Sequence, residues 1–195
     1  GLIVEDDYDS ELRYDRVAVG ALQGLAPERV CHIGSASKRL APGVGLGWIL
    51  SPSWLTGALT FEKGLADGGS PALDQLALAD FIGRGEFERH LRRVRLRYRA
   101  RRAALVAALS RELPRARVQG IAAGLFVLAL LEDEVDEEAL ISAAAARGVG
   151  VEGLAWHRLR GEGPPGLVLG YANLPQAALE RGVRELARAL AELTG

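Results

Sequence analysis

The chain has 195 residues, of which 49% are hydrophobic and 25% charged, with a formal net charge of −1. A chain of this length and composition folds as one or two globular domains and buries roughly 70% of its unfolded surface, and its charge excludes a global attraction to nucleic acid or to an anionic membrane. The single cysteine, Cys31, excludes an internal disulfide and fits a reducing compartment, and no run approaches the roughly 20 apolar residues that span a bilayer.

The first element is "LIVEDDY" (2–8), a buried strand that ends in acidic residues. The chain opens directly on this run and contains no methionine, so further chain is expected before Gly1. "SELRYDRVAVGALQGLAPE" is expected as a surface excursion. "RVCHIGS" (29–35) and "GLGWILS" (45–51) are short apolar runs bounded by Gly, Pro and Ser, which favours strands. "SPALDQLALADFIGRG" (70–85) begins with Ser-Pro and carries apolar residues at helical spacing, so a helix is expected. A longer helix over 86–113 stops at Pro114.

The second part is expected over 114–195. "ARVQGIAAGLFVLALLE" reads as two strands around a glycine turn. "DEEALISAAAARG" is a helix with acidic residues in its first turn and Gly148 as its stop. "VGVEGLAW" and "LVLGYANL" are read as strands separated by the loop "RGEGPPG", and Pro175 opens a final helix to about Leu193. The order β-β-α-β-β-α implies a small α+β domain after a first part over 1–113.

Chemistry concentrates around "GSASKRLAPG" (34–43). Lys38 is one of two lysines, with Lys63, in a chain whose other cations are arginines. Arginine stays protonated and cannot act as an amine nucleophile; lysine can. A lysine that condenses with an aldehyde points to pyridoxal 5′-phosphate (PLP) as cofactor. Such a site needs a carboxylate for the pyridine nitrogen, a donor for the phenolic oxygen and donors for the phosphate. Asp6 and Tyr8 are two residues apart and so share one face of a strand, while Glu5 and Asp7 point the other way. Ser35 and Ser37 offer hydroxyl and backbone N–H groups for the phosphate. "GVGLG" lacks the strand–turn–helix context of a dinucleotide-binding loop, and that reading is rejected.

"VEDDYDSELRYD", then "LQGLAPERVCHIGSASKRLAPGVGLGWILSP", then "DQLALADFI" resemble the aminotransferase-like domain of the MocR subfamily of GntR-type transcriptional regulators. The resemblance covers the whole chain. It implies an α/β fold: the C-terminal part of the large domain of a fold type I, PLP-dependent transferase, followed by a small α+β C-terminal domain. It further implies Lys38 as the Schiff-base lysine, Asp6 as partner of the pyridine nitrogen and Tyr8 on the phenolic oxygen. Ser35 and Ser37 fall in the phosphate region, and Arg39 is a candidate for a phosphate contact. A homodimer in the cytoplasm, an amino acid or PLP as effector, and DNA contact only through an N-terminal domain outside this chain are implied too. The alternative is an aminotransferase moving an amino group between an amino acid and a 2-oxo acid; a third reading is a degenerate domain that only dimerises.

Two positions depart from the family pattern. "PGVGLGW" has Gly45 where an arginine usually grips the phosphate, and "GLVLGYANL" has Val168 where an arginine usually binds the substrate carboxylate.

"RHLRRVRLRYRARR" (89–102) holds eight arginines. It is read as a helix with Leu91, Val94, Leu96, Tyr98 and Leu105 partly toward the core and arginines toward solvent or a partner subunit. His32, His90 and His157 lack metal-ligand spacing. Trp48, Trp54 and Trp156 are expected in the core or an interface.

Overall fold

The computed structural model describes residues 1–13, 20–120, 122–132, 134–160 and 163–194. It divides into two units, Gly1–Val94 and Arg95–Gly195.

The first unit is built on a three-stranded sheet in the order β1-β2-β3. β1 (Ile3–Asp7) runs parallel to β2 (Val30–Ser35), and β3 (Gly47–Leu50) runs antiparallel to it. A parallel pair needs a long crossover rather than a hairpin. Of that crossover, 14–19 lie outside the described residues, including Tyr14 and Asp15 of the quoted "RYD". The described parts make two short turns, Ser10–Leu12 and Leu22–Gly24. The excursion is not wholly superficial, because Leu12 is fully buried. β2, flanked on both sides, is the most protected strand, and Val30 and Cys31 are buried in it.

Three helices follow: α1 (Ser53–Asp67), α2 (Ala72–Gly83) and α3 (Glu86–Glu112). α1 has no counterpart among the sequence expectations. α3 ends just before Pro114, whose ring would clash with the preceding turn. Its buried stripe is Leu91, Val94, Leu105, Ala108 and Leu109. Leu96 is corrected: it is 69% exposed, because two residues past Val94 is more than half a turn away from the stripe. Trp54 and Trp156 are 63% and 84% exposed, which leaves an interface as the expectation for them and not the core of this chain.

The second unit has an antiparallel sheet in the order β4-β5-β7-β6, formed by β4 (Arg117–Gln119), β5 (Phe126–Leu130), β6 (Glu152–Gly153) and β7 (Gly166–Gly170). Val127 opposes Leu169 and Ala129 opposes Leu167, so these four buried side chains share one face. α4 (Glu137–Ala146) and α5 (Gln176–Thr194) complete the unit. α5 buries Leu179, Val183, Leu186 and Ala189 at helical spacing. Tyr171 is fully buried, and its hydroxyl donates to the Gly124 carbonyl at 2.5 Å.

The strand expected over "VGVEGLAW" is shorter: after Gly153 the chain turns into a 3-10 helix, Leu154–His157. The cause is Glu137 at the start of α4. Its carboxylate accepts from the Ala155 N–H at 2.9 Å and the Gly166 N–H at 2.8 Å, so Ala155 is drawn away from the ladder.

Asp136 caps α4: one carboxylate oxygen accepts from the N–H groups of Glu138 and Ala139, each at 3.0 Å. Asp136→Ala is expected to cost about 1 kcal/mol and Asp136→Asn only a few tenths. Paired thermal melts check this, at about 2–4 °C per kcal/mol for a protein of this size. Equal loss from both variants would show that the cap contributes little through those bonds.

Candidate functional site

Strand alternation splits the acidic run of β1 into two faces. On one face, Glu5 accepts from the N–H groups of Leu22 at 2.8 Å and Gln23 at 3.2 Å, and meets His32 Nδ1 at 3.2 Å. The Leu22 bond foremost holds its carboxyl below the ordinary value; burial, next in size, opposes it, and Gln23 and His32 add to the lowering. Asp7 accepts from the N–H of Ser10 at 3.0 Å and its hydroxyl at 2.7 Å. It lies 3.7 Å from His32 Nε2 and 3.8 Å from Arg39 Nη2. These two carboxylates hold the chain that leaves β1.

Asp6 and Tyr8 lie on the other side and are exposed. Asp6 has no hydrogen-bond or ion-pair partner among the described residues. The two are close enough to interact through charge. The Asp9 carboxylate first, then burial, then Asp6 raise the Tyr8 phenol above its ordinary value. Tyr8 therefore remains a protonated hydrogen-bond donor well past neutral pH. Asp9 is itself raised, by burial first and then by Asp7, with Arg39 opposing.

The lysine turn follows β2 directly. Asp7 pairs with Gly34, so Ser35, the last residue of β2, comes beside the end of β1. The Ser35 hydroxyl accepts from the Ser37 N–H at 3.2 Å. The loop is closed at its neck by the Ala36 N–H on the Leu46 carbonyl at 2.9 Å, and it curls so that the Leu40 N–H reaches the Ala36 carbonyl at 2.7 Å. Lys38 is exposed, with no hydrogen-bond or ion-pair partner among the described residues.

Arg39, the next residue, is the opposite case. It is 4% exposed. Its Nη2 donates to the Asp7 carbonyl at 3.0 Å, its Nε is 2.6 Å from Glu11, and its guanidinium carbon is 5.2 Å from the centre of the Trp48 ring. A phosphate approaching Nε or Nη2 would compete with the Glu11 and Asp7 carboxylates. Gly45 has φ 59°, the left-handed conformation that favours glycine, and a β-carbon there meets nothing within 4 Å.

Glu11, Trp48 and His90 were not singled out for the site by sequence reasoning. His90 Nε2 is 3.0 Å from the Arg39 carbonyl. Glu11 stands inside the quoted "EDDYDSE", which is the one signal available for it. In the second unit, Val168 occupies the middle of β7, paired with Leu128 and Glu152, and offers no cation. Among the described residues no group of His, Cys, Asp and Glu is arranged to hold a metal ion, and no helix is long and apolar enough to cross a membrane.

No family model matches the chain. The solved structure of LysN, an α-aminoadipate aminotransferase from Thermus thermophilus complexed with N-(5′-phosphopyridoxyl)-L-leucine, aligns at TM-score 0.90 and 31% identity. The alignment covers 99% of this chain and 51% of that one. The architecture is that of a fold type I aminotransferase: the C-terminal part of the large domain followed by the small α+β domain.

In sequence, the chain is 35% identical to the HTH-type transcriptional regulator YhdI of Bacillus subtilis, over 98% of its own length and 41% of that protein's. It is 34% identical to the probable rhizopine catabolism regulatory protein MocR of Rhizobium meliloti, over 98% and 39%. The chain is homologous to the aminotransferase-like region of MocR/GntR-type regulators, and it spans about two fifths of the length of these curated relatives.

Proposed function

We propose that this chain is part of the PLP-binding effector domain of a MocR-type transcriptional regulator. The observation that carries the reading is the contrast at residues 38 and 39. Lys38 presents an amine that has no partner among the described residues, on a turn whose neighbouring side chain is tied to the end of β1, where Asp6 and Tyr8 stand. These residues fit the cofactor's chemistry. Lys38 is the covalent anchor for its aldehyde. Asp6 is the carboxylate for the pyridine nitrogen, and Tyr8, kept protonated, donates to the phenolic oxygen. The Ser35 and Ser37 hydroxyls serve the phosphate. When bound, PLP supplies an electron sink for chemistry at an amino acid's α-carbon. In the regulator, occupancy by the cofactor, or by the cofactor with an amino acid, shifts the domain between two conformations and biases a DNA-binding domain outside these residues. The parts proposed are 1–113 for the large-domain portion, closed by α3, and 114–195 for the small domain, in a cytoplasmic homodimer.

The likeness to LysN favours a second reading, an aminotransferase in which Lys38 also moves the α-proton as general base. Val168 weighs against it, because a half-buried valine cannot grip a substrate carboxylate.

Borohydride reduction of the full-length protein loaded with PLP is expected to fix one pyridoxyl group on the peptide containing Lys38, and Lys38→Ala to abolish it. A pyridoxyl group on another peptide, or one retained by Lys38→Ala, overturns the assignment.

A further inference from the structure

We propose that Arg39 is a positioning residue for Lys38 and not a ligand of the phosphate. The inference rests on the reading of Lys38 as cofactor anchor. It begins from a difference between neighbours: Lys38 has nothing holding its side chain among the described residues, whereas Arg39 is held from several directions.

The guanidinium donates to the last carbonyl of β1, on Asp7, ion-pairs with the Glu11 carboxylate in the turn beyond it, and lies against the Trp48 indole of β3. The backbone of Arg39 is fixed as well: its N–H donates to the Ala36 carbonyl at 3.2 Å, and its carbonyl faces His90 Nε2. These contacts tie the lysine turn to the strand end that carries Asp6 and Tyr8. An amine that must meet an aldehyde held by those two residues has its reach set by where residue 39 is pinned.

The residue type fits this task. Arginine offers a planar fork that serves a carbonyl and a carboxylate at once while stacking on an aromatic ring; a lysine ammonium cannot do all three. Arginine is also never neutral, so its burial requires the acidic partners it has. Held in this way, Nε and Nη2 face Glu11 and the end of β1, where a second anion would compete with the Glu11 and Asp7 carboxylates.

The experiment separates the two roles by using PLP and its phosphate-free analogue, pyridoxal. Affinities of both are measured by absorbance titration of the full-length protein and of Arg39→Met, Arg39→Lys and Glu11→Gln. A positioning role weakens both ligands together, roughly tenfold to a hundredfold for Arg39→Met, since misplacing a reacting group by about 1 Å has consequences of that size. The ratio of the two affinities stays the same. Arg39→Lys does not rescue, because the fork is lost. Glu11→Gln, which keeps the arginine and removes one anchor, gives a smaller loss of the same kind and covers the case in which Arg39→Met does not fold.

The pH at which the visible band of the bound cofactor changes should also move in Arg39→Lys, which loss of stability alone would not do. A selective loss of PLP over pyridoxal, by tenfold or more, makes Arg39 a phosphate ligand and overturns the inference; unchanged titrations in all three variants overturn it too. Lys38→Ala is run alongside. If it still holds the cofactor covalently, the reading of Lys38 has failed, a result distinct from either outcome at Arg39.

Discussion

Gly34→Ala is expected to destabilise the protein by about 2–4 kcal/mol, although alanine in a strand normally stabilises by about 0.5–1 kcal/mol relative to glycine. The reason lies across the ladder. Gly34 pairs with Trp48 in the antiparallel register of β2 and β3, and a β-carbon on Gly34 would fall well inside the contact distance of the indole. The ring would have to move, and it lies against the Arg39 guanidinium. Overpacking of this kind costs about 1–3 kcal/mol, and a disturbed cation–π contact adds about 0.5–2 kcal/mol. The sign should reverse once the ring is gone: in a Trp48→Ala background, Gly34→Ala should be neutral or stabilising by up to about 1 kcal/mol. Urea unfolding of the four proteins gives the cycle directly. An equal cost with and without Trp48 would mean that the indole is not the reason for the glycine.

That pairing shows where the sequence was readable and where it was not. Strand alternation distributed Glu5, Asp6, Asp7 and Tyr8 between two faces, because a period of two is a local property. The stop of α3 at Pro114 and the left-handed Gly148 after α4 were local too. α1 escaped notice for a physical reason. Gly57, Gly64, Thr56 and Thr60 weaken its helix propensity, and no residue of α1 is buried, so no sharp stripe advertises it. The left-handed Gly68 that ends the helix was its best available signal.

The role of Arg39 was not legible at all. Its partner carbonyl is 32 residues away, and the fold sends the Lys38 and Arg39 side chains into opposite surroundings, one exposed and one buried. Glu137 is similar, since its grip on Ala155 and Gly166 cut short a strand that the local pattern supported.

Gly45→Arg is expected to tighten PLP binding by roughly tenfold to a hundredfold while lowering thermal stability. With the fork of Arg39 engaged elsewhere, the phosphate lacks a guanidinium, and a hydrogen bond to a charged group is worth about 1.5–3 kcal/mol. Against this stands the backbone. Gly45 sits at φ 59°, and a residue with a β-carbon in that region costs about 1–2 kcal/mol. The two terms do not cancel in a binding measurement. The strain is present in the free protein and the bound protein alike, so it lowers the melting temperature, by several degrees at about 2–4 °C per kcal/mol, and leaves the affinity gain intact. Nothing within 4 Å obstructs the new β-carbon, so no steric term is added. Pyridoxal, which has no phosphate, should bind Gly45→Arg as it binds the parent, and the gain should appear only with PLP. A variant that melts cooperatively a few degrees early and shows no preference for PLP beyond the parent's would place the phosphate away from residue 45. Equal tightening of PLP and pyridoxal would instead mean that the new side chain acts on the turn and not on the anion.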